Sequence, residues 1–304
     1  MQDDLHADAS PPPSGGLIQL RARAPALDAW LGPVWAALCG VLASNGFRWE
    51  QSGPLKLLVL FLLVDAGWGT IWAALASTDW ALPLDAWRTW ETNTRTARLP
   101  YTLPGSIGDR ISRWMGKLFA WWGSVFWPAC GPAVQAVLVS LPMTALLGAL
   151  LGPELLLLSV AVIAVMQLAV IWERGHPTVP PLWDGLVAVA FPWLAGHVVF
   201  SEITLTSMAF GFGLALTWGT AWNARSTAAR IVLVSSQALA AGGLVVLRHP
   251  LAAGFLLLML VPQMALLPWI GSDSPEGRHL PVRRFVRYTR PWLMVTMVVS
   301  ALVL

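Results

Sequence analysis

The sequence predicts an all-α integral membrane protein of about nine transmembrane helices, and three observations carry that prediction. The first is composition: 56% of the 304 residues are hydrophobic and 12% are charged, with a mean hydropathy of +0.63, which is not the balance of a soluble domain. The second is a series of apolar segments, each near the roughly 20 residues that a spanning helix requires. Nine can be placed, at about 29–47, 55–78, 129–150, 153–172, 182–200, 204–222, 228–247, 251–270 and 287–304. The third is the distribution of Lys and Arg, which accumulate on the cytoplasmic loops of membrane proteins. With the N-terminus in the cytoplasm, that side holds Arg21, Arg23, Arg88, Arg95, Arg98, Arg110, Arg113, Lys117, Arg174, Arg225, Arg230, Arg278, Arg283, Arg284, Arg287 and Arg290, and the other side only Arg48, Lys56 and Arg248. A helix missed or invented early in the chain would destroy this partition, so the expected topology is N-in and C-out in the cytoplasmic (inner) membrane.

Taken in order, residues 1–27 are polar, include Pro11-Pro12-Pro13 and lack periodicity, which reads as a disordered cytoplasmic tail. No basic-then-apolar signal pattern opens the chain, so a cleaved leader is not expected. The membrane domain runs over 28–304. Its first long cytoplasmic loop, 79–128, contains Ile111-Ser112-Arg113-Trp114-Met115-Gly116-Lys117-Leu118-Phe119-Ala120-Trp121-Trp122. That mixture of bases and aromatics suits either an interfacial helix lying along the headgroups or an extension of the third span. Glu154 opens span 4, where a negative charge favours a helix N-terminus, and Asp184 and Glu202 bracket span 5 as solvated ends. The loop 271–286 leads into Arg283-Arg284-Phe285-Val286-Arg287, a topological anchor attractive to anionic lipid. Pro33, Pro142 and Pro192 fall within spans and loosen them locally. The pI near 9.3 follows from these loops, and nucleic acid is not expected as a partner. Cys39 and Cys130 sit in apolar segments without CxxC or Cys/His spacing, which indicates neither a disulfide framework nor a zinc site.

One short stretch occurs twice. Trp68-Gly69-Thr70-Ile71-Trp72 returns 150 residues later as Trp218-Gly219-Thr220-Ala221-Trp222, near the cytoplasmic ends of spans 2 and 6. A displacement of four spans predicts two four-span halves, about 28–172 and 181–270, followed by an extra helix at 287–304, a four-plus-four-plus-one pseudo-repeat with room for a cavity where the halves meet. Glycine between two indoles lets another backbone approach closely, so the plain reading of each copy is helix packing and the functional reading is cavity lining.

This arrangement resembles the UbiA superfamily of intramembrane prenyltransferases. The resemblance is one of topology and covers residues from about 28 to 304. It implies nine helices, an N-in orientation and functional loops after helices 2 and 6, where the family's paired acidic clusters hold magnesium for an isoprenyl diphosphate. Magnesium requires an octahedral shell of oxygen ligands, commonly carboxylates bridged to substrate phosphates. Here the first position offers Asp65, Asp79 and Asp85, spaced too widely for one helical face, and Trp218 to Arg230 contains no acid at all. No Asp or Glu occurs between Glu202 and Asp273, leaving Asn223 as the only amide beside Arg225. The expectation is therefore a non-catalytic UbiA-like protein whose cavity binds an apolar ligand (an isoprenoid, quinone, pigment tail or lipid) as an accessory subunit among other membrane-protein subunits. The alternative is a divergent magnesium-dependent membrane prenyltransferase using Asp65, Asp79 and Asp85. A small-solute transporter built on repeats is disfavoured by the scarcity of intramembrane polar residues.

Two intramembrane polar residues stand out beside the candidate cavity residues Trp68, Trp72, Trp218, Trp222 and Asn223. Asp65 lies about ten residues into span 2, where a carboxylate costs at least about 2.5 kcal/mol to insert. Its functional reading is cavity lining, and its plain reading is a protonated or hydrogen-bonded helix residue. His197, beside Gly196, is the one histidine well inside an apolar span, a candidate ligand for haem or a chlorophyll-type pigment; the plain reading is a hydrogen-bonded interior histidine. No phosphate-binding loop, nucleophile elbow or Ser/His/Asp set is present.

Overall fold

The computed structural model describes residues 32–49, 52–89, 105–173, 181–270 and 282–304. Among the described residues every regular element is a helix. They are α1 (Pro33–Ala43), α2 (Gly53–Ala76), α3 (Ala81–Thr89), α4 (Ile107–Leu151), α5 (Pro153–Glu173), α6 (Pro181–Gly185, Leu186–Ala190 and Phe191–Val198 in succession), α7 (Leu205–Ala221), α8 (Thr227–Val246), α9 (Pro250–Leu266, tightening into a 3₁₀ turn at Leu267–Trp269) and α10 (Val282–Val303). Five of them, α2, α4, α5, α8 and α9, are long and apolar enough to cross a membrane, the architecture of an all-α membrane protein. All except α3 overlie the apolar segments of the sequence. The tail 1–27 and residues 271–281 of the last long loop lie outside the described residues.

Local chemistry fixes the helix ends. Pro33 and Pro250 open α1 and α9, where the missing N–H of proline is no loss. Asn45 stops α1 in the left-handed region at φ 51°, a conformation that asparagine tolerates. Gly152, at φ 134°, is the single residue between α4 and α5, and only glycine adopts that backbone without strain. Thr204 accepts the Ser207 N–H at 3.1 Å to start α7, and Ser106 accepts the Asp109 N–H at 3.2 Å to start α4 while Asp109 accepts back from Gly105 at 2.9 Å.

Helix α4 settles the status of the aromatic and basic stretch 111–122. It is not a separate helix but the start of one continuous 45-residue rod, passing through a π-helical turn at Trp122–Phe126 and extending the third apolar segment. Short α3 packs on this rod: the Trp121 indole donates to the Pro83 carbonyl at 3.0 Å, the Trp87 ring meets Trp121 edge-on at 5.3 Å, and Lys117 lies 4.8 Å above Trp87.

The core is organised around α1 and α6, which pack closely along their lengths. One side of that pair packs with α2 and α5 through Leu60, Leu63, Trp68, Leu155 and Met166. The opposite side packs with α7, α8, α9 and α10 through Phe210, Leu214, Leu244, Leu256 and Met297. Neighbouring residues of α1 divide between the two: Ala36 faces the second cluster and Ala37 the first. Close approach of α1 and α6 depends on two glycines in reciprocal positions. A Cβ on Gly40 would collide with the Trp193 carbonyl, and a Cβ on Gly196 with the Ala37 carbonyl, so each glycine sits against the backbone three residues before the other. Within lipid, where apolar surface supplies little drive to associate, such close packing and interhelical hydrogen bonds hold helices together. The second flank adds the latter: Gln237 and Gln263 exchange two amide hydrogen bonds at 2.8 and 3.1 Å, and the Thr217 and Ser236 hydroxyls lie 2.7 Å apart.

Candidate ligand cavity

The two Trp-Gly-Thr copies lie on α2 and α7, on either side of the α1–α6 pair. Both reach one cavity. It measures about 450 Å³ and is lined by Gly32, Pro33, Val64, Trp68, Gly69, Trp72, Asp184, Val187, Ala188, Trp218, Trp222 and Arg290. These come from the starts of α1 and α6, the later parts of α2 and α7, and the first half of α10, so the cavity sits toward one end of the bundle. Its volume falls within the range of small-molecule sites.

Two lining segments are π-helical, Leu62–Gly69 in α2 and Leu186–Ala190 in α6. A π-turn inserts an extra residue into the helical ladder and re-aims the side chains that follow, a distortion often found at functional sites. Trp68 belongs to the first of these turns; it is 1% exposed, and its indole N–H donates to Ser159 Oγ on α5 at 3.3 Å. Gly69 beside it leaves room at the wall. On the opposite wall, Gly185 of α6 meets α7 so closely that a Cβ would strike the Ala215 carbonyl and stand 3.2 Å from the Gly219 nitrogen. Gly219 of the second copy thus lies at this α6–α7 contact, while Trp218 and Trp222 border the cavity.

The polar groups of the lining are Asp184 and Arg290, and sequence reasoning placed neither there. Asp184 had the reading of a solvated span end, and Arg290 was counted only among the basic residues of the cytoplasmic side. Both are half-buried, and the Arg290 guanidinium lies 5.4 Å above the Trp218 ring and 5.6 Å above the Trp222 ring, within the range of cation–π attraction. The available signals were Gly185, which brings Asp184 against α7, and the position of Arg290 eight residues into a helix that carries no further charge after it. The indole N–H groups of Trp72 and Trp218 make no hydrogen bond among the described residues. The cavity thus combines four indoles with one group of each charge.

The other candidates lie elsewhere. Asp65 is half-buried in the π-turn of α2 and engaged within the structure, but it is not part of the lining. Asn223 is exposed just beyond α7. His197 is 3% exposed and held at both ring nitrogens: Nε2 lies 3.0 Å from the Glu202 carbonyl and Nδ1 3.1 Å from Ser207 Oγ, which also accepts the Trp193 indole N–H at 3.0 Å. Because a carbonyl only accepts, Nε2 carries the proton and Nδ1 accepts from the serine. A haem or chlorophyll-type pigment would have to break one of these bonds to reach a ring lone pair. Asp79 and Asp85 are exposed, Asp79 accepting the Leu82 N–H at 3.1 Å at the start of α3. Among the described residues no three His, Cys, Asp or Glu side chains converge as a metal site. Comparison with protein-family models, curated proteins and solved structures finds no match.

Proposed function

We propose that this chain is a non-catalytic membrane protein that holds an apolar ligand, an isoprenoid, quinone, pigment tail or lipid, in the cavity between its two halves, and that it serves as an accessory subunit of a larger membrane assembly. The observation that carries this reading is the convergence of both Trp-Gly-Thr copies on one cavity of about 450 Å³. Its walls are mainly indole and aliphatic carbon, the surface that an alkyl chain or flat ring covers best. The single Asp of the lining supplies too few oxygen ligands to hold magnesium and a diphosphate. We read the chain as a duplicated, UbiA-like bundle of nine spans, N-in and C-out, with the cavity at its cytoplasmic end; the reciprocal Gly40 and Gly196 contacts between helices four spans apart fit the duplication, and the Lys and Arg distribution carries the orientation.

Purification in mild detergent, followed by mass spectrometry of co-eluting lipids and subunits, tests this reading. A stoichiometric apolar ligand and a membrane partner are expected; a lone, ligand-free monomer would count against both parts. Incubation with magnesium and labelled isoprenyl diphosphates tests the enzyme alternative, and turnover lost on Asp79→Ala would overturn the non-catalytic assignment.

A further inference from the structure

Among the described residues five indoles are buried: Trp68, Trp72, Trp121, Trp193 and Trp218. A buried indole N–H normally finds an acceptor, and three of the five do. Trp68 donates to Ser159 Oγ, Trp121 to the Pro83 carbonyl and Trp193 to Ser207 Oγ. The other two, Trp72 and Trp218, are 9% and 5% exposed and make no hydrogen bond among the described residues. Their nitrogens are not sealed within the core, so each N–H keeps access to open space. The space that both side chains border is the cavity of about 450 Å³. One indole stands on α2 and the other on α7, so two donors without acceptors reach the cavity from opposite walls. Building on the apolar-ligand reading above, we propose that the cavity recognises its ligand by carbonyl oxygens received by the Trp72 and Trp218 N–H groups, and that the recognised end of the ligand is uncharged.

An indole nitrogen only donates, so its complement is an oxygen acceptor. The charged residues of the lining do not compete for that role. Asp184 and Arg290 are each engaged within the structure, and the Arg290 guanidinium is drawn over the Trp218 and Trp222 rings at 5.4 and 5.6 Å. A charged head would therefore surrender its hydration to walls of indole and aliphatic carbon, a costly exchange without a dedicated partner. A pure hydrocarbon fails in the opposite way. It covers the walls but strips water from two N–H groups and leaves both unpaired, which weakens binding about tenfold for each donor. A carbonyl meets both demands, because it is neutral and its oxygen accepts through two lone pairs. Two sources share this chemistry: the ring of a quinone and the ester linkages of a glycerolipid.

The test uses the full chain in nanodiscs of ether-linked phospholipid, which has no ester carbonyl of its own. The probes are decylubiquinone, dioctanoylglycerol, squalene and dioctylglycerol, the last being the ether counterpart of the second. Retained probe is read by native mass spectrometry. At least one carbonyl probe should be retained at least about tenfold over dioctylglycerol and squalene. Preference for decylubiquinone assigns the quinone ring, and preference for dioctanoylglycerol assigns the ester. Trp72→Phe and Trp218→Phe keep an aromatic ring and remove the N–H. Each should lower retention of the carbonyl probe by about fivefold or more while leaving that of dioctylglycerol unchanged. If one variant does not fold, the other and the wild-type ranking decide the matter. No advantage of either carbonyl probe over dioctylglycerol, or an advantage that survives both substitutions, overturns the carbonyl assignment and leaves the apolar-ligand reading standing. Retention of none of the four probes overturns that reading too.

Discussion

The two Trp-Gly-Thr copies share a sequence and a cavity but are held in different ways. In the first, Trp68 is sealed in a π-turn and tied by its N–H to Ser159, and Trp72 is 9% exposed. In the second, α7 runs as a regular helix, Trp222 is 39% exposed, and both indoles lie under the Arg290 guanidinium. The first copy is a fixed wall set into the α2–α5 core. The second is a shelf whose occupant is a side chain of the last helix. Similar residues thus carry distinct roles because the neighbours differ: a serine hydroxyl on one side, a cation on the other.

The largest effect that probes this contrast is expected at the close contact of α1 with α6. Gly40→Ala drives a methyl into the Trp193 backbone and should cost about 3 kcal/mol or more, since neither helix can withdraw without opening both cores; thermal unfolding in nanodiscs checks it, and an unchanged midpoint would remove the crossing as the organising contact. Next, Gln237→Leu leaves the Gln263 amide buried without its partner and should destabilise by about 1–3 kcal/mol. The double variant Gln237→Leu/Gln263→Leu should recover most of that, because nothing polar then remains unpaired. Ser159→Ala should cost about 1 kcal/mol by releasing the Trp68 N–H, loosening the fixed wall and leaving the shelf intact. Trp222→Leu should change stability least, by about 0.5 kcal/mol for a side chain so exposed, yet it should lower ligand retention more than Ser159→Ala does. If the order of those last two variants in ligand retention were reversed, the distinction between wall and shelf would fail.

Much of the architecture was legible because membrane helices are long, apolar and closed on themselves in hydrogen bonding, so most apolar segments read from hydropathy end within a few residues of the helices seen here, whereas the third, placed at 129–150, is the later part of a helix that begins at Ile107. The repeated pentapeptide pointed to the cavity because the indoles of both copies, on α2 and at the end of α7, line it. The polar half of the site was harder to read. Asp184 sits in the first turn of α6 and Arg290 in the first half of α10, near span ends where a charge is normally solvated, and only tertiary packing turns them inward. His197 shows the opposite case. Its place in an apolar span invited a ligand role, but its partners, Ser207 and the Glu202 carbonyl, follow within ten residues in the turn to α7 and in α7 itself. Local sequence gives no sign that a loop will fold back to satisfy it. The π-turns were likewise invisible, since their residues differ in nothing from ordinary helix formers.

The reciprocal glycines have a consequence for biogenesis. Gly40 reaches the membrane some 150 residues ahead of Gly196, and chains emerge from the ribosome at about 5–20 residues per second. For that interval α1 can meet α2 but not α6. Its packing partner is still being made, while α2, α4 and α5 are already available to one another. Helix α1 is therefore made well before its close packing partner, and the α1–α6 contact forms only after α6 has been added.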